Sequence, residues 1–408
     1  MPMLPVLVLN SGSSSIKFSI YEAGATERTK LLEGAVDGIG AGSGMGKFWI
    51  KDAAGKKLVD QTPDLPDAAT AFALVAAALL AEETGKSPLP HPAAIGHRMV
   101  CGGPTVIENQ CITPELIDEM ERYTAFAPLH TPIAVFIMRQ ALKLFPGVPN
   151  FVCLDSYFHR NLPQVTQHLP IPPKYAEMGV RRFGAHGLSY ESIVHALEPN
   201  VPSRLIVAHL GNGASISAIR DGVGIDTSMG LTPTGGIISG SRTGDIDPGV
   251  LIFILRDLLK TGLNGDAAAD GLERAASKQS GLLGVSQLTN DMRGLREAIA
   301  AGNPNARLAV DEFVYAIRKF IGAYIAVLGG LDMLVFTGGI GENDLASRAE
   351  ICAGLDCFGI HLDPVRNAKR GETLISADGS PVAVRVIPPA EDLMIVNHVC
   401  RLLGKSGD

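Results

Sequence analysis

Two short tracts of glycine, serine and asparagine are the residues of this 408-residue chain whose types and spacing first suggest chemistry. One is Asn10-Ser11-Gly12-Ser13-Ser14, and the other is Gly211-Asn212-Gly213-Ala214. Small residues let backbone N–H groups and hydroxyls approach an anion closely, which is the chemistry of a phosphate cradle. Ordinary β-hairpin turns use the same residue types, so both interpretations remain open at this point.

The segments that flank the two tracts repeat along the chain. Residues 4–9 lead into the first tract and 15–21 leave it, while 205–209 and 215–219 flank the second tract in the same way. The segment 15–21 alternates apolar and polar residues, as a half-buried strand does. Two halves that each open with such a hairpin predict a duplicated fold, divided near residue 204, with a cleft between the halves.

The rest of the chain switches between helical and strand periodicity, which predicts an α/β fold. Thr113 followed by Pro114 is typical of a helix start. Helices are predicted over 68–83, 113–123, 132–144, 249–259, 305–328, 347–353 and 393–403. Strands are predicted over 93–99, 150–154, 331–336 and 382–387. Polar residues follow several of these strands, where α/β sheets bind their ligands.

Composition and charge exclude several classes of protein. Hydrophobic residues make up 46% of the chain, which is enough for a sizeable core and argues against disorder. The net charge is −7 and no run of Lys and Arg exceeds two residues, so no nucleic-acid partner is expected. The longest apolar stretch, 69–81, is shorter than the about 20 residues that a membrane span needs, so no membrane association is expected.

The N-terminus and the cysteines indicate the compartment. The opening residues lack the basic region of a signal peptide. The six cysteines form no CxxC pair and have no histidine spacing typical of a zinc site. The sequence therefore predicts a cytoplasmic protein with reduced cysteines.

A series of short motifs runs in order along nearly the whole chain, whereas the common signatures GxxxxGK[ST] and GxGxxG after a strand do not occur. The series comprises 10–18 (NSGSSSIKF), 96–100 (GHRMV), 128–130 (PLH), Asp155, 181–187 (RRFGAHG), 209–213 (HLGNG), 240–248 (GSRTGDIDP), 336–343 (FTGGIGEN) and Glu391. This series resembles the acetate kinase family, part of the superfamily of acetate and sugar kinases, Hsp70 and actin.

The resemblance implies an architecture and a reaction. It implies two duplicated ribonuclease-H-like domains of the actin-like ATPase type, with an interdomain nucleotide cleft, in a homodimer. We expect 1–155 plus 393–408 to form the N-terminal domain, and 156–392 to form the C-terminal domain with most nucleotide contacts. The implied reaction is reversible, direct in-line phosphoryl transfer from ATP to acetate, giving ADP and acetyl phosphate, with Mg²⁺ as cofactor and Mn²⁺ as a possible substitute.

The acceptor in such a reaction is a carboxylate that is already ionised at neutral pH, so it needs no general base. The site must instead supply positive charge where two anions meet. By resemblance, Arg98 holds the acetate, Arg242 stabilises the transferring group and His186 donates to it. Without the motifs, a surface salt bridge would explain either arginine, and a structural role would explain the histidine.

Three further polar residues have roles implied by the resemblance. The family gives Asp155 a catalytic role in proton transfer; because the acceptor is ionised, we interpret it as positioning Mg²⁺ or an arginine. Asn10 and Glu391 resemble the Mg²⁺-site residues. A role as a helix cap or turn residue would equally explain the presence of Asp155. A role as an ordinary acidic residue at a helix start would explain Glu391.

The resemblance also assigns groups of binding residues. Those expected to bind the acid are Arg98, Val100, Leu129, His130 and Pro233, although His130 would also suit a helix N-terminus. Those expected to bind the nucleotide are His209, Leu210, Gly211, Asn212, Gly213, Asp291, Met292, Arg293, Gly339, Ile340, Gly341, Glu342 and Asn343. Those expected to form a phosphate loop are Ser13, Ser15 and Lys17.

The chain departs from the family pattern at a few positions. Ala185 replaces the usual phenylalanine before the histidine, which should widen the acyl pocket, whereas the retained Val100 argues for a small acid. One or two methylenes shift selectivity only ~10–200-fold, so use of propionate is compatible with the sequence. Met292 replaces an aromatic residue, Cys101 replaces a histidine, and Thr234-Gly235 replaces Leu-Glu.

Two other classes of function remain as alternatives. An actin-like or chaperone-type ATPase would use the same nucleotide fold but would lack the pair of arginines and the histidine motif. A kinase for butyrate, branched-chain acids or sugars would share the superfamily, but a sugar hydroxyl needs a general base that the sequence does not offer.

Overall fold

The structure is a computed structural model that describes residues 3–12, 14–40, 46–80 and 90–405. The chain divides into two compact units. The first unit comprises Met1–Tyr157 and Ala390–Asp408, and the second comprises Phe158–Pro389. The predicted boundary at residue 392 would place Glu391 in the second half. It lies in the first unit because it begins a helix that packs on the first unit's sheet.

The described strands form two sheets. Those of the first unit are β1 (Leu4–Ser11), β2 (Ser15–Ala23), β3 (Arg28–Asp37), β4 (Lys47–Asp52), β5 (Lys57–Gln61), β6 (Ala94–Met99), β7 (Gln110–Cys111) and β8 (Asn150–Leu154). Those of the second unit are β9 (Arg204–Leu210), β10 (Ala214–Arg220), β11 (Val223–Thr227), β12 (Met333–Thr337) and β13 (Ala383–Val386).

The described helices lie between and after these strands. In chain order they are α1 (Ala68–Leu80), α2 (Pro114–Arg122), α3 (Thr131–Leu144), α4 (Gln164–Gln167), α5 (Pro173–Glu177), α6 (Gly187–Leu197), α7 (Pro248–Lys260), α8 (Gly265–Lys278), α9 (Gly281–Ser286), α10 (Met292–Ala300), α11 (Pro304–Leu328), α12 (Gly338–Asn343), α13 (Leu345–Cys352), α14 (Pro364–Ala368) and α15 (Glu391–Lys405). None of the helices in the described ranges is both long and apolar enough to cross a membrane.

The two sheets share one strand arrangement. In the first unit the strand order is β5-β4-β3-β2-β1-β6-β8-β7, and in the second it is β11-β10-β9-β12-β13. Each sheet contains an antiparallel meander of three strands, β1-β2-β3 in the first unit and β9-β10-β11 in the second. The first strand of each meander also pairs in parallel with a later strand, β6 or β12. That strand in turn pairs in parallel with β8 or β13. The first unit adds β4 and β5 at one edge and β7 at the other. This common arrangement confirms the duplicated, ribonuclease-H-like α/β fold that the repeated hairpins predict.

Local sequence signals explain where several helices begin and end. Thr113 caps α2, because its side-chain oxygen accepts from the backbone N–H of Leu116 at 3.2 Å and proline follows it. Asn303 caps the 25-residue helix α11 in the same way, and Gly329 ends it in the left-handed conformation. The buried face of α11 repeats at helical spacing and packs against β10 and α9.

Most predicted elements are confirmed with shifts of one or two residues at their ends. The helix predicted over 68–83 runs over Ala68–Leu80, and residues 81–83 lie outside the described part of the chain. The last helix begins two residues before its predicted start, at Glu391. The glycine-rich run after β12 forms the short helix α12, because Gly338 takes a positive φ of 77° and lets the chain turn directly into it.

Candidate active site

Four polar side chains meet at one edge of the first unit's sheet. Asn10 lies near the end of β1, Arg98 near the end of β6, and Asp155 directly after β8. Because β1, β6 and β8 are parallel neighbours, their carboxyl ends share one edge of the sheet. Glu391, the first residue of α15, completes the group, since its Oε2 accepts from Nδ2 of Asn10 at 3.2 Å.

Arg98 is held by the groups around it. Its Nε and Nη2 atoms donate to Oδ2 of the fully buried Asp155 at 3.1 and 2.7 Å, and its Nη1 atom donates to Oδ1 of Asn10 at 3.0 Å. Burial lowers the pKa of Arg98, but the carboxylates of Asp155 and Glu391 outweigh burial and raise it above its ordinary value. Among the described residues, these bonds use three of the five guanidinium N–H groups, which leaves two that can bind an anion.

The oxygen atoms of this group suit a hard divalent cation. Asn10 offers an amide oxygen, and Glu391 and Asp392 offer carboxylates on the first turn of α15. The Asp392 carboxylate accepts from the hydroxyl of Ser19 at 2.7 Å, which fixes its position. Among the residues that the structure describes, no cluster of three His, Cys, Asp or Glu side chains forms a complete metal cage. A cation that keeps several water ligands fits this donor set.

The remaining acid-binding candidates are divided between the two units. Val100 is buried directly after β6, and Leu129 and His130 directly precede α3, where His130 is the cap residue. Pro233 lies in the second unit, where its carbonyl accepts from Nη1 of Arg242 at 3.3 Å.

The predicted phosphate-loop residues lie at the first hairpin. Ser15 begins β2, and Lys17 is an exposed residue of β2 that pairs with Asn10 in the antiparallel register. The backbone N–H of Gly12 donates to the carbonyl of Ser15 at 2.8 Å. Ser13 lies outside the described residues.

Two histidines stack in the second unit. The rings of His186 and His209 lie 4.1 Å apart between centroids and are inclined by 21°. His186 takes a left-handed conformation with φ 56° at the start of α6, and its Nδ1 lies 2.8 Å from Oγ of Ser215 on β10. Nδ1 of His209, at the end of β9, lies 2.8 Å from Oγ of Ser189. Both rings are therefore anchored through Nδ1.

Arg242 lies beside this histidine pair. A Cβ placed on Gly213 would be 3.3 Å from Nη1 of Arg242 and 3.4 Å from Nε2 of His186, so both nitrogens face the same point. Arg242 is half-buried, and burial lowers its pKa. Within the described ranges it forms no ion pair and donates only to the carbonyl of Pro233. A partly desolvated guanidinium with no carboxylate partner is a site for an external anion.

A cavity of about 790 Å³ lies in the second unit. Eight residues predicted to bind nucleotide line it: Gly211, Asn212, Asp291, Met292, Arg293, Gly339, Ile340 and Asn343. Leu210 and Gly341 are buried instead, since Leu210 belongs to the hydrophobic core and Gly341 packs against β12. Burial raises the pKa of Glu342 beside them.

A model of the acetokinase family matches residues 5–397, which is nearly the whole chain. The chain belongs to the acetokinase family. Among curated family members, the acetate kinase of Phocaeicola vulgatus is 39% identical over 98% of this chain and 100% of its own length. The acetate kinase of Leifsonia xyli is 40% identical over 97% of this chain and 98% of its own length.

Two solved structures of the family agree with this fold. The acetate kinase of Porphyromonas gingivalis superposes with a TM-score of 0.83 at 36% identity, and the propionate kinase of Francisella tularensis superposes with a TM-score of 0.85 at 32% identity. Each comparison covers 98% of this chain and 100% of the other.

The family motifs do not include every residue that the site contains. Arg296, Asp344 and Arg370 also line the cavity. Arg296 lies about one helical turn after Met292 on α10, so helical spacing could have placed it on the same face. Asp344 directly follows the motif at 336–343, whereas Arg370 has no such signal, because only the fold brings the segment after α14 to the cavity.

Proposed function

We propose that this protein is an acetate kinase that transfers the γ-phosphoryl group of ATP to acetate, reversibly and by direct in-line displacement. The observation that carries the proposal is Arg242, a half-buried guanidinium with no ion pair among the described residues. It faces the same point as Nε2 of His186 and lies in the unit whose cavity is lined by the nucleotide motifs. Such donors suit the charge that develops on a transferring phosphoryl group.

The acid is proposed to bind at Arg98. The two N–H groups not engaged by Asp155 and Asn10 can hold a carboxylate. We assign Asp155 a positioning role, because both of its contacts with Arg98 fix the orientation of the guanidinium. Proton transfer by Asp155 is not needed, since the acceptor is already an anion.

In the reaction, a carboxylate oxygen of acetate attacks the γ-phosphorus, and the bond from that phosphorus to the β–γ bridging oxygen breaks. The bridging oxygen leaves on ADP with the electron pair, so no proton moves. Arg242 and His186 are proposed to donate to the γ-phosphoryl oxygens, whose charge must be balanced as the two anions meet.

A divalent cation, Mg²⁺ with Mn²⁺ as a substitute, is proposed to bind at Asn10 and Glu391. The support is their oxygen donors and the neighbouring carboxylate of Asp392. Bound there, the ion would supply positive charge to the phosphate oxygens of the nucleotide.

The test traps acyl phosphate with hydroxylamine after incubation with Mg-ATP and either acetate or no acid. We expect hydroxamate only with acid, and a loss of about 10²-fold or more in kcat for Arg242→Ala. Arg274→Ala, an exposed arginine on α8, is the control and should be unchanged. Absence of product with every short acid would refute the proposal, and ATP hydrolysis that needs no acid would favour an actin-like ATPase.

Propionate is the second candidate acceptor. The similarity to a solved propionate kinase supports it, as does the small side chain of Ala185. We expect kcat/KM for acetate and propionate to differ by no more than ~200-fold. Measuring both acids, with butyrate as a longer homologue, decides between the two acceptors.

We also propose that the protein is a homodimer that forms through α7. None of the thirteen residues of α7 is buried, although the helix carries Val250, Ile252, Phe253 and Leu259. The support for this interface is these four exposed apolar side chains, because exposed apolar surface marks protein interfaces. The same helix in a second copy offers an equally apolar, self-complementary surface, as a two-fold dimer requires.

A cytoplasmic location is proposed on the state of the cysteines. The structure describes all six as thiols, and burial raises the pKa of Cys352 to about 12. Thiols without disulfides are typical of a reducing compartment.

A further inference from the structure

We propose that Tyr190 and Ser215 are positioning residues that hold the ring proton of His186 on Nε2. The inference rests on the proposed function, in which Nε2 of His186 donates a hydrogen bond to the transferring phosphoryl group. Tyr190 and Ser215 lie outside the family motifs that identify the site, and they act through His186 rather than on the substrate.

The three side chains form a continuous hydrogen-bonded chain. Oη of Tyr190 lies 2.5 Å from Oγ of Ser215, and Oγ of Ser215 lies 2.8 Å from Nδ1 of His186. Tyr190 and Ser215 are fully buried. Because His186 directly precedes α6, Tyr190 lies in the first turn of α6 and Ser215 lies on β10, the chain fixes the imidazole between a helix and a strand.

Two basic side chains lie beside His186. The imidazole of His209 is stacked on it at 4.1 Å, and Nη1 of Arg242 faces the same point as Nε2. A neutral imidazole carries one proton, so the tautomer decides whether Nε2 can donate.

The chemistry of the hydroxyls sets the direction of the chain. A phenol is a stronger hydrogen-bond donor than an aliphatic hydroxyl, because its pKa is about 10. Tyr190 therefore donates to Ser215, and the single proton of Ser215 is directed to Nδ1 of His186. Once Nδ1 accepts, the ring proton lies on Nε2, which faces Gly213 and Arg242.

The test combines enzyme kinetics with nitrogen NMR on the full-length protein labelled with ¹⁵N in the histidine rings. In the wild type we expect an unprotonated Nδ1 and a protonated Nε2 for His186, assigned with a His186→Gln variant. Ser215→Ala should lower kcat about 10-fold or more with the KM of ATP and acetate nearly unchanged, and should shift the ring signals towards a mixture of tautomers.

Matched variants separate positioning from structure. Ser217→Ala removes another fully buried hydroxyl on β10, one that donates to the carbonyl of Asp226, and it should retain both activity and the tautomer. Ser215→Thr keeps the hydroxyl and should restore most of kcat. Tyr190→Phe should give a smaller loss than Ser215→Ala, because Ser215 can still donate to Nδ1 without its own donor.

Each outcome bears on the inference. A protonated Nδ1 in the wild type overturns it, and so does a Ser215→Ala variant with the tautomer and kcat of Ser217→Ala. If Ser215→Ala does not fold, the wild-type spectrum and Tyr190→Phe still decide. If the wild type forms no acyl phosphate, the proposed function fails, whereas the ring spectrum reports the tautomer independently of activity.

Discussion

At the scale of single residues, the first unit depends on one buried ion pair. Arg98 and Asp155 lie 57 positions apart in the sequence and meet at 2.7 Å, with 15% of the arginine side chain and none of the aspartate exposed. Burying a charge is costly unless a partner compensates it. The pair therefore orients Arg98 and also makes the fold depend on both charges.

Asp155→Asn should distinguish the orientation of Arg98 and the stabilisation of the fold from a role of Asp155 in proton transfer. Asparagine keeps the shape but removes the charge that holds Arg98, so we expect kcat/KM for acetate to fall at least about 10-fold while the KM for ATP stays unchanged. The free energy of unfolding should fall by about 3 kcal/mol, because a buried arginine loses its partner. Both quantities can be measured by steady-state kinetics and urea unfolding.

The exposed pair Arg204–Asp332 provides the control, because 40% and 33% of its side chains are exposed. Asp332→Asn should cost no more than about 1 kcal/mol and leave kinetics unchanged. Near-full turnover in Asp155→Asn would contradict an electrostatic role for Asp155.

Gly213→Ala tests the space between Arg242 and His186. The new methyl group would lie 3.3 and 3.4 Å from their facing nitrogens and would occupy the position assigned to the transferring group. We expect a loss of at least about 10-fold in kcat, with stability changed by less than about 1 kcal/mol. Gly230→Ala, where a Cβ has no atom within 4 Å, should retain activity. Equal kcat values in the two variants would place the phosphoryl group elsewhere.

At the scale of elements, α15 positions Glu391 by packing against the sheet. Gly96 on β6 makes this close approach possible, because a Cβ there would overlap Ile395 and Val399 of α15. The chain uses glycine here for backbone proximity rather than for an unusual φ. The close contact between the sheet and the last helix at Gly96 therefore depends on the absence of a side chain there.

Gly96→Ala should displace α15 and Glu391 with it. Overpacking a core contact costs about 1–3 kcal/mol, so thermal stability should fall and the Mg²⁺ concentration needed for half-maximal activity should rise. In Gly322→Ala, inside α11, the new Cβ meets no atom within 4 Å, so it should stabilise by about 0.5–1 kcal/mol and leave the Mg²⁺ requirement unchanged. An unaltered Mg²⁺ requirement in Gly96→Ala would mean that α15 does not position the ion.

At the scale of the whole molecule, each unit contains a buried neutral histidine. Burial lowers the pKa of His97 in the first unit to about 4, although its hydrogen bond with Asn150 acts in the opposite direction. Burial, helped by Arg182, lowers the pKa of His159 in the second unit to about 4. In the unfolded chain a histidine has a pKa near 6.5 and takes up a proton earlier as the pH falls.

The stability of the protein should therefore fall between about pH 6.5 and pH 4. Because the folded pKa is depressed, the contribution is complete above pH 6.5 and is lost as the pH falls towards 4, by about 3 kcal/mol for each histidine. Urea midpoints measured from pH 7.5 to 4.5 test this. His97→Gln should show a weaker pH dependence, whereas His195→Gln, at an exposed position, should match the wild type. If the urea midpoints of the wild type, His97→Gln and His195→Gln change equally with pH, His97 does not cause the loss of stability.

The proposed dimer is also a property of the whole molecule. Phe253→Glu places a charge at the most exposed of the four apolar side chains of α7, of which 73% is exposed, and should give a monomer in sedimentation and light scattering. Val365→Glu, at a position that is 78% exposed on α14, should leave the mass unchanged. If the wild type is a monomer, or if both variants are dimers, α7 is not a dimer interface.

The sequence by itself determined the repeated hairpins, most helices and strands, and the family. These follow from local periodicity, caps and short motifs, which need only neighbouring residues to be read. Thr113 predicts a helix start for this reason, and the tracts at 10–14 and 211–214 predict the two turns.

Only the tertiary structure decided which side chains act together. It paired Arg98 with Asp155, brought Arg370 to the cavity and joined Tyr190 to His186 through Ser215. No local pattern encodes these contacts, because they arise where separate strands and helices meet. The sequence therefore names candidate residues for a phosphoryl-transfer site, whereas packing sets the orientation and the contacts of each.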